Sequence, residues 1–410
     1  MKGTDQPDPG PVRRIDPFLA LGARANSTPD QLQALRDQAT AYAGWDRLAD
    51  DSQYHGLTAL IYGHLRQAQV EMPDDVRRTL AAITVRQERA AQIQAEALTQ
   101  LLASFDRAGV EALVLKGGAL AHQVYARPGL RPMYDLDLLV RAADAQKAQT
   151  LLGGLGFQVS APADGRSGSF HQHLPPAARM VDGQQIVVEI HTNLFRQNQP
   201  FLPSATFEEL ADRSVEFQLG DRTARTLGPE EMLWHVYRHA FCNSLPWSHL
   251  RLIWVADVVS VVEAWHERMD WERVARLFPE VWHGLPLLHF LTPWSASVRA
   301  HLGWGELSRP AGVGRPYAGF PFRPWGALRQ EGLGHAIAET FWPSEWWLRL
   351  HYGVADGRTV IWAWRLRHGR HILAQMMWAW PLYRRVQIPL LGSWRRSRSV
   401  LTDPPRHNNS

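Results

Sequence analysis

The chain has 410 residues, of which 45% are hydrophobic, so it is long enough for two or three domains with apolar cores. Its formal net charge of +4 is too small to indicate a nucleic-acid partner by itself, and its single cysteine, Cys242, excludes an intramolecular disulfide. The N-terminus has no apolar core, and no run of about 18 apolar residues occurs, so the sequence predicts a cytoplasmic protein without signal peptide or membrane span.

The N-terminal part of the chain is predicted to be helical after a loose leader. Residues 1–27 are rich in proline, glycine and charge, which is typical of a segment without its own core. Residues 28–107 then place apolar residues at helical spacing. The expected elements are a helix that opens with a Ser/Thr cap at Ser27 or Thr28, a second helix over His55–Gln67 and a long helix over Pro73–Gly109. This region is expected to be a packing scaffold rather than a site.

Residues 108–228 mix strand-like and helix-like segments. The apolar run Val110–Leu115 has the length of a strand, a short helix follows it, and "MYDLDLLV" alternates as a half-buried strand does. Another helix comes next, and the turn pair Asp182–Gly183 predicts a hairpin between two further strands. This order of elements predicts a small α/β domain.

Beyond this domain, helix dominates again. Residues 229–355 are predicted to form a C-terminal helical domain, and residues 356–410 form a basic tail. Between Gly357 and Thr402 the tail has nine arginines, five tryptophans and no acidic residue, which is compatible with binding to a membrane surface or a nucleic acid. The alternative is a packed amphipathic helix, which is favoured by the helical spacing of Trp362, Leu366, Ile372, Met376 and Trp380.

Two aspartates, Asp135 and Asp137, are the first candidate site. Residues i and i+2 on a strand face the same side, so the two carboxylates point together. Like charges held on one face repel each other, and a divalent cation between them would stabilise the arrangement, as in two-metal phosphoryl-transfer sites. The alternative is a half-exposed strand whose aspartates are simply solvated.

Two further features favour a metal and nucleotide site. Lys116, Gly117 and Gly118 stand at a strand-to-helix turn, where glycines let the backbone approach a phosphate and helix-start N–H groups point at it. In "VVEIHTNL", Glu189 and His191 share one face of another strand. A third carboxylate from a neighbouring strand is what a two-metal site needs.

Taken together, "LKGGAL", "RPMYDLDLLV" and "VVEIHTNL" resemble the bacterial uncharacterised nucleotidyltransferase family, a branch of the polymerase-β-like nucleotidyltransferases. In this resemblance the two glycines match the family's turn, the two aspartates match its acidic pair, and Glu189 falls on its third acidic position. Arg131 resembles the arginine that the family places before the pair, and His191 matches its Asp/Glu-x-His ending. The similarity covers most of residues 30–355.

The resemblance implies a fold and an activity. The implied fold class is α/β, a small mixed-sheet nucleotidyltransferase core flanked by N-terminal and C-terminal helical regions. The implied reaction is Mg²⁺- or Mn²⁺-dependent transfer of a nucleoside monophosphate from an NTP, with ATP expected, to a hydroxyl or phosphate acceptor. A small molecule or a protein is expected as acceptor ahead of a nucleic acid. The alternative is a nucleotide-binding regulatory or assembly protein of the same fold with little or no activity.

The resemblance also implies roles for individual residues. Asp135, Asp137 and Glu189 would be the catalytic residues and metal ligands. Lys116 and the two glycines would receive the β- and γ-phosphates, and Arg131 would pair with phosphate oxygens or fix the aspartates. Two departures favour the inactive alternative: the third acidic residue is Glu where many relatives have Asp, and the turn is Lys-Gly-Gly where better-known members have Gly-Ser.

Four residues are candidates for the substrate side of the site: His191, His235, His239 and Asp257. His235 and His239 have the i, i+4 spacing of helical metal ligands but lack the glutamate of a zinc protease motif, so polar helix contacts or proximity to the nucleotide are expected instead. Asp257 lies in an apolar helix, where a salt bridge to an arginine or histidine is favoured over catalysis.

A histidine pair, His171 and His173, follows an irregular polar stretch. It is expected to be solvated, with an approach to the substrate as the alternative. The sequence contains no serine hydrolase elbow, no Walker loop and no dinucleotide-binding fingerprint, which excludes the enzyme classes that depend on them.

Overall fold

The computed structural model describes residues 15–160, 172–195, 205–242, 250–319, 332–355, 357, 360–374 and 376. The chain divides into two compact units. The larger unit comprises residues 13–316 and 344–355, and the smaller unit comprises residues 1–12, 317–343 and 356–410. Three sequence-based expectations lie outside the described residues: those for the first half of the leader, for His171 and for the tail beyond residue 376, including Trp380.

Five helices precede the sheet in the larger unit. They are α1 (Pro17–Leu21), α2 (Pro29–Ala39), α3 (Trp45–His55), α4 (Thr58–Gln67) and α5 (Asp74–Arg107). The predicted Ser/Thr cap of α2 is Thr28, because its hydroxyl accepts from the backbone N–H of Gln31 while the Gln31 side chain accepts from the backbone N–H of Thr28. The long helix α5 also agrees with the sequence, since it starts after Pro73 and is followed by Gly109 with φ of 66°.

The expected helix over His55–Gln67 is wrong in its first residues, and α3 was not predicted. Gly56 ends α3 with φ of 71°, and a Cβ atom at this position would lie 3.2 Å from the Ile253 side chain. The helical register therefore restarts at Thr58. α3 gives a weak sequence signal because Leu48 is its only large aliphatic residue in the core.

A seven-stranded mixed sheet forms the centre of the larger unit. Its strands are β1 (Ala112–Val114), β2 (Asp135–Val140), β3 (Gln158–Val159), β4 (Ala177–Val181), β5 (Gln184–His191), β6 (Val215–Leu219) and β7 (Arg222–Thr226). They lie in the order β3-β4-β5-β2-β1-β7-β6. β2 is antiparallel to β1 and parallel to β5, while β1 is parallel to β7. The predicted fold class, a mixed-sheet α/β core flanked by helices, is confirmed.

The central strand β2 is buried on both faces. Helix α6 (Lys116–Gln123) follows β1, helix α7 (Ala145–Gly154) follows β2, and α8 (Phe207–Asp212) precedes β6. Leu136 and Leu138 are buried, and Asp137 on the opposite face is only 3% exposed. The expectation of a half-buried strand was therefore wrong, and with it the alternative of two solvated aspartates, because β2 lies in the middle of the sheet.

Helices complete the larger unit after the sheet. They are α9 (Pro229–Tyr237), α10 (Leu252–Trp265), α11 (Trp271–Leu277), α12 (Pro279–Leu288), α13 (Ala296–His301) and a further helix at Glu345–Tyr352. Helix α9 continues as a π-helical turn over Arg238–Cys242. Trp234 and Trp346 are fully buried. Of the helices in the described ranges, none combines the length and the hydrophobicity needed to cross a bilayer.

The smaller unit contains helix α14 (Leu333–Phe341) and a helical segment over 360–374. The helix at Glu345–Tyr352 of the larger unit is therefore α15 in chain order. The predicted packing stripe of this segment is wrong. Trp362 and Leu366 are 54% and 68% exposed, whereas Ile361, His368 and Ile372 are buried. The predicted stripe combined residues from two different faces of the helix, because Trp362 and Ile372 are not separated by a whole number of helical turns.

Candidate active site

The parallel pairing of β2 with β5 brings the acidic residues together. In the register of the two strands, Asp137 is opposite Glu189 and Leu139 is opposite His191. Because side chains alternate along a strand, Asp135, Asp137, Glu189 and His191 all project from the same face of the sheet. The structure therefore places the third carboxylate directly beside the acidic pair.

Lys116 supplies a positive charge inside this group. It is the first residue of α6, has φ of 46°, and places its Nζ atom 3.1 Å from Oδ2 of Asp137. Burial acts to lower the pKa of Lys116, but the charges of Asp137 and Asp135 outweigh burial and raise it. Lys116 is thus a permanent ammonium that neutralises part of the carboxylate charge.

The glycine pair lies in the first turn of α6 rather than before the helix. Neither Gly117 nor Gly118 has a positive φ, and the left-handed conformation belongs to Lys116. A Cβ atom on Gly117 would be 2.8 Å from Nη1 of Arg131, and one on Gly118 would be 2.9 Å from Cγ1 of Val114. Both positions therefore require glycine for close packing. Their contact with a phosphate stays a prediction.

Two histidines flank the carboxylates. The Nε2 atom of His191 is 2.7 Å from Oδ1 of Asp137 and 3.5 Å from Oε2 of Glu189. Burial acts to lower the pKa of His191, but its contacts with Asp137 outweigh burial and raise it. His173 forms a β-bridge with His191, and its Nε2 atom is 3.6 Å from Oε2 of Glu189. The expectation that His173 is simply solvated is therefore wrong.

The tautomer of His173 follows from a second contact. Its Nδ1 atom is 2.8 Å from the carbonyl oxygen of Leu174, which only accepts, so Nδ1 carries the proton in the neutral ring. The lone pair of Nε2 then faces Glu189. Sequence reasoning treated this residue only as part of a loop pair, because the bridge to β5 depends on a tertiary fold that local spacing does not reveal.

The two aspartates differ in their electrostatic environment. The charge of Asp137, together with burial, raises the pKa of Asp135 to about 6. Burial also acts to raise the pKa of Asp137, but Lys116 and His191 outweigh it and hold that pKa well below its usual range. Close to neutral pH both aspartates are therefore ionised, and their mutual repulsion favours a cation at the site.

The donor atoms present fit a divalent metal ion. Asp137, Glu189 and His191 each offer one ligand atom, and these atoms lie within 4.8 Å of one another. Carboxylate oxygens are ligands for Mg²⁺ and Mn²⁺, and an imidazole nitrogen favours transition metals. No other group of His, Cys, Asp and Glu converges in this way in the part of the chain that the structure describes.

Arg131 and Asp257 form a buried ion pair next to this group. Nε and Nη2 of Arg131 are 3.1 and 2.5 Å from the two carboxylate oxygens of Asp257, and Nη1 donates to the Pro132 carbonyl at 2.9 Å. Asp257 thus has an arginine partner, as the sequence indicated. The hydroxyl of Tyr125 also donates to Asp257 at 2.8 Å. The sequence did not predict this contact, because Tyr125 follows α6 while Asp257 lies in α10, 132 positions further along the chain.

His235 and His239 lie on α9 and its π-helical continuation. His235 is 1% exposed, its ring is 5.6 Å from that of Phe195, and the ring of His239 is 4.9 Å from that of Trp254. Burial, and then the charge of Lys116, lower the pKa of both well below the usual range. The two neutral imidazoles are therefore electrostatically coupled to Lys116, and π-helical turns recur at functional sites.

Comparison with known proteins adds three structures of low similarity. The antibiotic-resistance factor ANT(2'')-Ia in solution is 15% identical, with a TM-score of 0.29, over 43% of this chain and 94% of that one. A crystal structure of ANT(2'')-Ia with adenylyl-2''-tobramycin is 15% identical, with a TM-score of 0.31, over 45% and 94%. An antigenic nucleotidyltransferase-like protein from Paracoccidioides brasiliensis is 11% identical, with a TM-score of 0.28, over 52% and 95%.

A search of curated proteins gave no match. A family model described as uncharacterised nucleotidyltransferase matches residues 42–287, which include the whole carboxylate group, Lys116, and the Arg131–Asp257 pair. This match spans more than half of the chain and agrees with the resemblance found in the sequence motifs. The chain therefore belongs to the uncharacterised nucleotidyltransferase family.

Proposed function

We propose that the protein is a Mg²⁺- or Mn²⁺-dependent nucleotidyltransferase that moves a nucleoside monophosphate from ATP or another NTP to a hydroxyl or phosphate acceptor. In this reaction an acceptor oxygen forms a bond to the α-phosphorus, the α–β bridging P–O bond breaks, and pyrophosphate leaves. The observation that carries the proposal is the strand register that sets Glu189 beside Asp137.

We assign Asp135, Asp137 and Glu189 as the metal ligands; of these, Asp137 and Glu189 belong with His191 to the group whose donor atoms lie within 4.8 Å of one another. His191 orients Asp137, because its Nε2 atom is 2.7 Å from the Oδ1 atom of that carboxylate. When bound, the metal would neutralise negative charge on the triphosphate and the leaving pyrophosphate. Glu189 lies at the edge of the group nearest His173, and we assign it the further role of orienting the acceptor hydroxyl.

The phosphates would be received at the start of α6. Lys116, whose side chain is 13% exposed, is an ammonium at that helix N-terminus, and Gly117 and Gly118 keep the first turn free of side chains. Arg131 would pair with phosphate oxygens or fix the aspartates; its hydrogen bonds to Asp257 and to the Pro132 carbonyl, on the segment that leads to Asp135, support the second role. His235 and His239 would line the substrate side.

The organisation and location of the protein complete the proposal. Residues 108–228 would be the nucleotidyltransferase core, with residues 28–107 and 229–355 as helical flanks and residues 356–410 as a basic tail. A cytoplasmic location would supply the NTP. A small molecule or a protein is preferred as acceptor ahead of a nucleic acid, since the formal net charge of the chain is only +4.

The test is nucleotide turnover by the full-length protein. Wild type is incubated with each NTP labelled at the α-phosphate and with Mg²⁺ or Mn²⁺, and both pyrophosphate release and labelled product are measured. Asp137→Asn and Glu189→Gln should lower the rate roughly hundredfold or more. Asp212→Asn, an exposed aspartate at the end of α8, is the control and should keep the wild-type rate.

A nucleotide-binding protein without turnover is the second candidate, and one contact favours it. The Lys116 ammonium is 3.1 Å from Asp137, so it already supplies positive charge where a metal would. Calorimetric titration separates the candidates: ATP binding that Lys116→Gln weakens, without pyrophosphate release from wild type, supports the second one. Equal pyrophosphate release from wild type and Asp137→Asn would overturn the enzyme proposal, and absence of NTP binding would overturn both.

A further inference from the structure

Exposed apolar side chains concentrate in the smaller unit. More than half of the large hydrophobic residues that are exposed in the described part of the chain belong to α14, to Trp342 and to the helical segment over 360–374. This unit holds only a small minority of the described residues, so chance exposure does not account for the bias. Its most exposed members are Leu333, Ile337, Trp342, Trp362, Leu366 and Leu373.

Four of these residues, Trp342, Trp362, Leu366 and Leu373, are here called the tryptophan stripe. The rings of Trp342 and Trp362 are 4.9 Å apart, and Leu366 and Leu373 follow Trp362 at spacings that keep them on one helical face. The packing face of the same segment is a different one, since Ile361 and Ile372 are buried. The stripe is therefore an additional apolar face rather than the edge of the core.

Arginines accompany the stripe. The guanidinium of Arg365 lies 5.0 Å from the ring centre of Trp342 and 5.9 Å from that of Trp362, and Arg370 is exposed on the same segment. The acidic residue of α14, Glu339, is 3.4 Å from His335. Between residues 360 and 374 the sequence has three arginines, Arg365, Arg367 and Arg370, and no acidic residue, so the segment that carries the stripe is positive.

We propose that the tryptophan stripe is a contact surface for an anionic lipid bilayer, with the 360–374 segment lying in the plane of the membrane interface. Tryptophan rings favour the interface between headgroups and acyl chains, and arginine side chains reach from an apolar face to lipid phosphates. Burial of leucine side chains in the bilayer and attraction of arginines to an anionic surface then act together.

The composition of the stripe decides between this occupant and others. A nucleic acid would neutralise the arginines but would leave Leu366 and Leu373 in water. The remainder of the chain, from residue 377 onwards, has six arginines and a single acidic residue, Asp403, so like charges oppose its docking on this surface. An anionic bilayer satisfies both the apolar and the cationic side chains at once.

Vesicle flotation with the full-length protein tests the proposal. Vesicles of pure phosphatidylcholine are compared with vesicles of equal parts phosphatidylcholine and phosphatidylserine. We expect wild type to bind the anionic vesicles preferentially, and Leu366→Glu/Leu373→Glu to lower the partition coefficient by at least about tenfold, since both side chains would leave the apolar part of the interface. Val85→Glu, an equally exposed apolar position on α5, is the matched control and should bind as wild type does.

A second variant separates charge from apolar burial. Arg365→Gln/Arg370→Gln should reduce the preference for phosphatidylserine while leaving the far-ultraviolet circular dichroism of the protein unchanged. The proposal is overturned if wild type does not float with anionic vesicles, or if the two leucine substitutions leave flotation unchanged. It is equally overturned if wild type forms dimers that the leucine substitutions dissociate, because a second copy would then cover the stripe.

Discussion

The guanidinium of Arg131 and the carboxylate of Asp257 form a double hydrogen bond between residues 126 positions apart in the sequence. Arg131 precedes β2, and Asp257 lies in the middle of α10, so the pair connects the strand of the two aspartates to the helices that follow the sheet. Neither side chain is more than 9% exposed. The position of Asp135 and Asp137 thus depends on a contact with a helix far along the chain.

Breaking this pair on one side should be much more destabilising than replacing both members. Asp257→Ala leaves the buried guanidinium without its counterion and should lower the free energy of unfolding by about 3–5 kcal/mol. Arg131→Met/Asp257→Leu removes both charges, so its loss should be clearly smaller than the sum for the single variants. Urea denaturation of the single and double variants measures this coupling. Additive losses would contradict the structure of the pair.

Gly117 and Gly153 should respond in opposite directions to alanine. A Cβ atom at Gly117 would be 2.8 Å from Nη1 and 2.9 Å from Cζ of Arg131, so Gly117→Ala should displace that guanidinium and destabilise the protein. Gly153 lies in α7 with no atom within 4 Å of an added Cβ, so Gly153→Ala should stabilise it by about 0.4–1 kcal/mol. Thermal unfolding checks both, and equal shifts would refute the close approach of Arg131.

The sequence predicted the structure correctly where the local spacing of apolar and polar residues determines the element. Alternation along β2 and β5 placed Asp135 with Asp137 and Glu189 with His191, and the long apolar repeat predicted α5. The parallel register that joins Asp137 to Glu189 was only inferred, because strand partners are selected by packing across the whole sheet. The short strands β3, β6 and β7 were not predicted, since two of them carry several polar residues and β3 has only two residues.

Contacts of the site that join distant segments of the chain could not be predicted from the sequence. The salt bridge of Lys116 to Asp137 and the approach of His173 to Glu189 depend on how α6 and the β4–β5 side of the sheet meet β2. The same reason explains Tyr125, whose hydroxyl has no sequence signal for a partner 132 positions away. For the helical segment over 360–374, spacing suggested an amphipathic helix but not which apolar face is buried.

His64 should make the protein less stable in mild acid. Burial lowers the pKa of His64 to about 4, and its Nε2 atom is 2.9 Å from the carbonyl oxygen of Arg24. The unfolded chain therefore takes up a proton near pH 6.5 that the folded chain accepts only near pH 4. The free energy of unfolding is therefore unaffected by His64 protonation above pH 6.5, and it falls by about 1.4 kcal/mol for each pH unit as the pH is lowered from 6.5 to 4.

Replacing His64 tests this dependence. His64→Gln should flatten the slope of unfolding free energy against pH between pH 6.5 and 4 relative to wild type, whatever its effect at pH 8. His301→Gln, at an exposed position in α13, should leave the slope as it is in wild type. Denaturant titrations at a series of pH values supply the slopes, and parallel curves for wild type and His64→Gln would refute the assignment.

Cys242 should be almost unreactive in the folded protein. Burial raises the pKa of its thiol to about 12, and the Sγ atom is 4.0 Å from the Leu350 carbonyl oxygen. Only the thiolate is nucleophilic, so alkylation by iodoacetamide at pH 8 should be roughly a thousandfold slower than for an exposed cysteine, and complete after denaturation. Mass spectrometry of the intact protein follows the label, with Cys242→Ser as the blank.

The same reaction reports on the segment that carries the neighbouring histidines. Cys242 ends the π-helical turn that follows α9, so native labelling requires local opening of the turn that also contains His239. If His235 and His239 line the nucleotide site, ATP with Mg²⁺ should slow the labelling further, because a ligand that binds only the closed form lowers the population of the open form. If native protein is labelled as fast as free cysteine, Cys242 is not buried. If labelling is slow but ATP does not change its rate, α9 is not part of the nucleotide site.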